Sequence, residues 1–221
     1  MSSSDHQHGH HGHGHSHDHD HAPISDGDGP VSRHEVLEIA LRELLIEKGL
    51  ISAEQVQRQI ETMESRNPAL GAKIVARAWA DPDFKARLIA DPRTTLEGEF
   101  NIDMWKVAEL VVLENTADTH HLVTCTLCSC YPRMVLGPPP AWYKSTAYRA
   151  RVVRNPRGVL KEFGVDLPSG TTVNVVDSTA DVRFLVLPVR PEGTCGMDES
   201  ALANLVTRDS MVGTGLADAP A

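Results

Sequence analysis

Three cysteines, Cys125, Cys128 and Cys130, fall within six residues, and this Cys-x-x-Cys-x-Cys loop constrains the chain more than any other feature. A disulfide framework spreads its cysteines so that they join distant segments. Three packed together join nothing distant, which points to metal or redox chemistry. Thiolates favour borderline or soft ions, and three on one loop can occupy one face of a single ion. A structural zinc site normally takes four ligands, usually from two separated knuckles. Only one knuckle exists here, and the remaining cysteine, Cys195, stands 65 residues further on. His120 and His121 precede the loop, but their side chains leave the strand before it begins. Spacing alone leaves three readings open: a catalytic metal, a structural zinc and a redox dithiol. Wrapping six residues around one ion also brings the backbone nitrogens of Ser129 and Cys130 close to it. A trivalent, Lewis-acidic ion can take such nitrogens as deprotonated amidates, which zinc is not expected to do.

A second metal-like feature lies far from the first. Nine of the 12 histidines, His6 to His21, alternate with Gly, Asp and Ser at the start of the 221-residue chain. Residues 1–30 also carry five Asp and no Lys or Arg, so more than half of the formal net charge of −9 belongs to them. Such a segment has almost no apolar side chains to offset ordering entropy, and composition predicts a solvated, disordered tail. Imidazoles at this density can loosely hold or deliver divalent metal. The acidic balance, with no basic stripe, argues against nucleic acid as a partner. No run approaches the roughly 18 apolar residues of a membrane span, and the basic and apolar regions of a signal peptide are missing. A cytoplasmic protein without a membrane partner is expected.

From residue 31 onward the sequence is punctuated into elements. Ser32-Arg33-His34-Glu35 has the pattern of a capping box, and Val36, Ile39, Ala40 and Leu44 follow at helical spacing until Gly49. Ser52-Ala53-Glu54-Gln55 repeats the device, and a second helix runs towards Asn67-Pro68 with a sparse stripe of Val56, Ile60 and Met63. Two helices with thin apolar stripes read as an arm that lies against a partner subunit or as a hairpin on the chain's own core. Helical pattern continues from Ala69 to Trp79 and from Asp81-Pro82 to Ala90, with Asp91-Pro92 as the stop. Leu110–Leu113 and His121–Thr124 read as two strands with a turn between them. The second strand runs straight into Cys125. Pro132 to Pro140 is too punctuated for helix or sheet. Helices are expected over Thr146–Arg154, Pro156–Phe163 and Glu199–Arg208, and strands over Thr172–Val176 and Arg183–Leu187. This order predicts an α+β fold: an N-terminal helical arm, then a layered α-β-β-α domain carrying the cysteine loop. The expected organisation is a tail over 1–30, the arm over 31–68, a catalytic domain over 69–216 and a flexible C-terminus over 217–221.

Val123-Thr124-Cys125-Thr126-Leu127-Cys128-Ser129-Cys130-Tyr131-Pro132 resembles the metal-claw motif of nitrile hydratase α subunits. The resemblance extends through Gly137-Pro138-Pro139-Pro140-Ala141-Trp142-Tyr143-Lys144, Tyr148-Arg149-Ala150-Arg151, Asp177-Ser178-Thr179-Ala180 and Leu205-Val206-Thr207-Arg208-Asp209-Ser210. Upstream, Glu47-Lys48-Gly49-Leu50 and Val75-Ala76-Arg77-Ala78-Trp79 match as well, so that roughly residues 35–216 are covered.

The resemblance implies a noncorrin Co(III), one per chain, with Fe(III) as the alternative and no organic cofactor. Cys125 would be the axial thiolate, Cys128 a sulfinate and Cys130 a sulfenate, with the main-chain nitrogens of Ser129 and Cys130 completing the protein ligands. The metal set is then Cys125, Cys128, Ser129 and Cys130, and the catalytic set Cys128, Ser129 and Cys130. Thr126 and Tyr131 match the cobalt-type motif, where the iron type usually carries Ser and Thr. The implied activity is hydration of a small nitrile to its amide, in an αβ heterodimer or α2β2 assembly whose β subunit supplies arginines to the oxidised cysteines. This chain alone would be inactive, and an activator or metallochaperone is a further expected partner.

Two departures matter. Arg133 stands where many nitrile hydratases carry Trp, and there it resembles the γ subunit of thiocyanate hydrolase, for which a cation beside the metal suits an anionic substrate. It is a candidate substrate-pocket residue or an arginine turned into a subunit interface. Thr124 replaces the usual Val and adds a hydroxyl under the loop. Residues 93–108 match the family poorly. Thiocyanate hydrolysis is therefore the second expectation, and a metal-binding or maturation protein using the histidine tail is the non-enzymatic third. Cys195 reads as a free surface thiol, Trp142-Tyr143 as packing, and Arg149, Arg151 and Arg154 as a solvated or salt-bridged face.

Overall fold

The computed structural model describes residues 33–102 and 108–220. The histidine-rich segment and Ser32 lie outside the described residues. Helix α1 (Arg33–Glu47) opens the described chain, and no residue in it is buried. It ends at Gly49, whose φ of +68° is a left-handed turn that costs glycine little. Helix α2 (Ala53–Glu64) starts with the expected capping box. Ser52 Oγ accepts from the Gln55 amide at 3.2 Å, and Gln55 Oε1 accepts from the Ser52 amide at 2.8 Å.

One device then recurs three times. Asn67-Pro68, Asp81-Pro82 and Asp91-Pro92 each place an Asx side chain at the N-cap and a proline in the first turn. They open α3 (Pro68–Ala80), α4 (Pro82–Ala90) and α5 (Pro92–Phe100). The expectation that Asp91-Pro92 stops the helical run is therefore half right. Proline ends the preceding helix, but Asp91 Oδ1 accepts from the Thr94 amide and starts another. Ile74, Val75, Ala76, Phe84, Leu88 and Leu96 are fully buried, and these three helices form the wall against which the strands pack.

The strands are β1 (Glu109–Glu114), β2 (Thr119–Thr124), β3 (Thr172–Asp177) and β4 (Val182–Leu187). β1 and β2 are consecutive, but they do not pair as a hairpin. β1 pairs in parallel with β4, and β2 in parallel with β3, from Thr119↔Thr172 to Thr124↔Asp177. The C-terminal segment fills the space between the ladders. The Val123 amide donates to Val212 O at 2.9 Å, and the Val186 amide to Met211 O at 2.9 Å. A ladder between β1 and β2 would occupy the edge that this late segment takes, a competition invisible to local pattern. Gly213, at φ +82°, passes so close to the His121 carbonyl that an added Cβ would run into it.

Two further expectations are corrected. The proline-rich stretch contains α6 (Arg133–Leu136), and α7 (Ala141–Lys144) follows it directly. These single turns are set by burial of Met134, Val135, Leu136 and Tyr143. Helices α8 (Thr146–Arg154) and α9 (Pro156–Glu162) form as expected, capped by Ser145 and Asn155. The last helix is shorter than its pattern, α10 (Glu199–Ala203), because Thr207 and Ser210 bond each other's backbone amides in a turn instead. The architecture is α+β: helices α3–α5 on one side, paired parallel ladders in the middle, and α7–α9 on the other. Among the described residues no helix is long and apolar enough to cross a membrane.

Candidate metal centre

β2 is buried on both faces at its end, where Leu122, Val123 and Thr124 are all fully buried. It therefore drives Cys125 into the core and releases the chain only afterwards. Thr126, Leu127 and Cys128 turn outward, and Leu127 at the tip is 88% exposed. The chain then folds back so that Tyr131 is buried. This out-and-back path brings the three sulfurs together. Cys128 Sγ lies 3.4 Å from Cys125 Sγ and 3.1 Å from Cys130 Sγ, and the Cys128 amide donates to Cys125 Sγ at 3.3 Å. All three sulfurs lie within 4.8 Å of one another, and among the described residues they form the one group of His, Cys, Asp and Glu that converges as a metal site would.

The spacing can be set against the geometry of a shared ion. Sulfurs about 2.3 Å from one ion stand about 3.3 Å apart at adjacent corners of an octahedron and about 3.8 Å apart on a tetrahedron. Two of the three separations, 3.1 and 3.4 Å, lie near the octahedral edge, and all three sulfurs fall within 4.8 Å of one another. Among the described residues no fourth His, Cys, Asp or Glu side chain joins the three sulfurs, as a tetrahedral structural zinc would require.

Electrostatics within the loop are uneven. Hydrogen bonds from Cys130 and Cys125, with help from the Ser129 and Cys130 amides, pull the Cys128 thiol down to about 7. Burial and the Cys128 sulfur push Cys130 up to about 12, against the pull of the Arg183 guanidinium. The Cys128 thiol is thus the more easily ionised of the pair, and the Cys130 thiol holds its proton more tightly. Ser129 itself is half-buried between the two.

The supports come from elements distant in sequence. Tyr143 of α7 donates its hydroxyl to Cys130 O at 2.8 Å, and Tyr148 of α8 donates to Val123 O at 2.7 Å. Burial holds both phenols far above their ordinary pKa, so they remain neutral donors. Trp142 packs edge-on to Tyr148 and Phe163 at 4.9 and 4.8 Å, and Tyr131 to Tyr143 at 4.9 Å. The Trp142-Tyr143 pair is therefore packing beneath the loop, as the sequence suggested. Arg149 donates to Thr126 O at 3.4 Å, so one arginine of the expected solvated face reaches the loop, whereas Arg151 pairs with Glu162 at 2.8 Å. Asp177, at the end of β3, takes the Thr126 amide on Oδ1 at 2.9 Å and the Thr126 hydroxyl on Oδ2. Sequence reasoning gave Asp177 only within a matching motif and Arg149 only as part of a solvated or salt-bridged face, and assigned neither of them, nor Arg183, to the loop. The available signal was the position of Asp177 directly after a strand, but only the β2–β3 register reveals that it faces the loop.

Other candidates lie apart from the sulfurs. His120 is buried; its Nε2 donates to Gly213 O at 2.6 Å, while Nδ1 accepts from Asn115 Nδ2 at 3.2 Å. His121 is bound to Asn115 Oδ1 through its backbone amide at 2.7 Å. Arg133 is exposed at the start of α6 and lines a groove of about 420 Å³ with Gln59, Ile60, Met63 and Arg66. Cys195 is an exposed free thiol. The Thr124 hydroxyl is fully buried and makes no hydrogen bond among the described residues.

Comparison with known proteins matches residues 32–215 to a family described as nitrile hydratase, alpha chain. A low-molecular-weight cobalt-containing nitrile hydratase subunit alpha from Rhodococcus rhodochrous is 49% identical over 182 residues, covering 82% of this chain and 87% of the relative. Among solved structures, a double mutant of an Fe-type nitrile hydratase from Comamonas testosteroni Ni1 superposes with a TM-score of 0.79 at 42% identity. That match covers 85% of this chain and 91% of the other. A recombinant thiocyanate hydrolase comprising partially modified cobalt centres also gives 0.79, at 43% identity, over 86% and 92% of the two chains.

Proposed function

The chain belongs to the nitrile hydratase α-chain family, and from that premise we propose that it is the metal-binding subunit of a cobalt nitrile hydratase that hydrates small nitriles to amides. The observation that carries the reading is the convergence of three sulfurs at 3.1 and 3.4 Å on one loop. In this reading Cys125, Cys128 and Cys130, with the backbone nitrogens of Ser129 and Cys130, hold one Co(III), and the choice of cobalt over iron rests on Thr126 and Tyr131 matching the cobalt-type motif. Cys128 is a sulfinate and Cys130 a sulfenate. The trivalent ion supplies Lewis acidity, which makes the carbon of a nitrile electrophilic.

This chain's own residues then supply position and proton handling. Cys125 is buried and anchors the loop, whereas Cys128 is exposed and Cys130 half-buried. The oxygen carried by Cys130 is the nucleophile or base beside the bound nitrile. The Tyr143 hydroxyl fixes the Cys130 carbonyl and so the direction of that side chain. Ser129 acts through its backbone and not as an acyl nucleophile. The oxidised oxygens require charged donors, and a β subunit supplies arginines to them. That subunit also covers the arm over 31–68, in an αβ or α2β2 assembly loaded with the help of an activator. The catalytic unit proper spans 69–216.

Arg133 supports a second reading, hydrolysis of thiocyanate. It is an exposed cation three residues beyond the last loop cysteine, and the chain is also similar to thiocyanate hydrolase. Turnover by the purified complex separates the two. Amide formed from acrylonitrile or acetonitrile, with thiocyanate untouched, supports the first reading. Consumption of thiocyanate without nitrile hydration overturns it.

A further inference from the structure

Between Cys125 and Cys128 the loop has two residues, and one of them is held at every polar atom. Thr126 donates its amide and its hydroxyl to the two oxygens of Asp177, and its carbonyl accepts from Arg149. Leu127 beside it is solvent-exposed and makes no such contact. The Asp177 position is itself fixed, because β3 pairs with β2 up to Thr124↔Asp177 and the next amide, Ser178, donates to Thr124 O at 2.8 Å. Asp177 is thus built on the neighbour of the strand that delivers Cys125. It grips the first residue after that cysteine with both carboxylate oxygens.

We propose that Asp177 is a positioning residue for the metal loop, acting through Thr126 to hold the cysteine sulfurs in a convergent arrangement before metal arrives. The inference rests on the reading of this loop as the metal site. A free six-residue loop has many arrangements open to it, and ordering it costs backbone entropy when the ion binds. A bidentate carboxylate clamp meets that cost in the folded chain beforehand, and its bonds are of the stronger, charge-assisted kind. Only a hydroxyl residue at 126 can supply the second of them. Arg149 bonds the same residue's carbonyl and completes the grip on its far side.

The test is titration of Co2+ alone into the reduced, full-length chain, read by thiolate-to-metal absorption, which the histidine-rich segment does not generate. Asp177→Ala and Thr126→Val are expected to weaken binding by about 10- to 100-fold, the usual loss when a group supporting metal ligands is removed. Thr126→Ser keeps the hydroxyl and is expected to bind as the parent does. The metal-free midpoint of thermal unfolding should stay within about 2 °C of the parent for all three, since both residues are exposed. Affinity unchanged in Asp177→Ala overturns the inference while leaving the metal reading intact. So does a loss in Thr126→Ser equal to that in Thr126→Val, or a loss matched by a fall in the metal-free midpoint. A parent chain that shows no thiolate absorption with Co2+ overturns the metal reading, and the inference with it.

Discussion

The cysteine loop and helix α1 both lie at the surface, yet they are held in opposite ways. The loop is tied from beneath by Tyr143, Tyr148, Asp177 and Arg149, so its shape is decided within this chain. Helix α1 turns Val36, Leu37, Leu41 and Leu44 to solvent at 45–58% exposure and buries none of its residues. Apolar side chains in such a row are what a protein interface consumes. In the proposed reading, this difference separates a donor set held within the chain from an arm left for the β subunit to cover.

The comparison can be broken at either end. The largest effect is expected from Cys128→Ala or Cys130→Ala in the assembled enzyme: nitrile turnover falls by about a thousandfold or more, with bound metal lost in parallel. Retained metal with lost turnover would place that cysteine in the chemistry only. Next, Gly213→Ala should destabilise the chain by about 3 kcal/mol, because a Cβ there meets the His121 carbonyl at a left-handed φ. Denaturant unfolding measures this, and a loss below about 1 kcal/mol would mean that the C-terminal segment does not pin the two ladders. For the arm, Leu37→Asp with Leu41→Asp should change the isolated chain by less than about 0.5 kcal/mol while weakening association with the β subunit about tenfold. Equal destabilisation of the isolated chain would show that the arm packs on its own core. The smallest effect is expected at Thr124→Val, which removes a buried hydroxyl that makes no bond among the described residues. Unfolding should show it neutral or up to about 1 kcal/mol more stable.

The sequence was most legible where chemistry is local. Three cysteines in six residues announce convergence, and Asx-Pro or Ser-x-x-Gln announces a helix start, because in each case the partners lie within a turn of one another. It was least legible where a distant segment wins a competition. β1 and β2 look like a hairpin, but Met211 and Val212 occupy the edge between the ladders. The helix pattern after Glu199 runs on, but the Thr207–Ser210 turn ends it. The same limit applies at the site. The cysteines were visible as a site and the grip of Asp177 on the loop was not, because it lies 51 residues from Thr126 and only strand register brings them together.

The central claim is that three cysteines a hundred residues beyond the histidine cluster carry the catalytic metal. Metal analysis joined to intact and peptide mass of the purified, active complex tests it most directly. The account predicts one cobalt per chain and about three added oxygens, about 48 Da, on the peptide containing Cys128 and Cys130. Active complex whose three cysteines are unmodified, or whose loop peptide holds zinc, would contradict it.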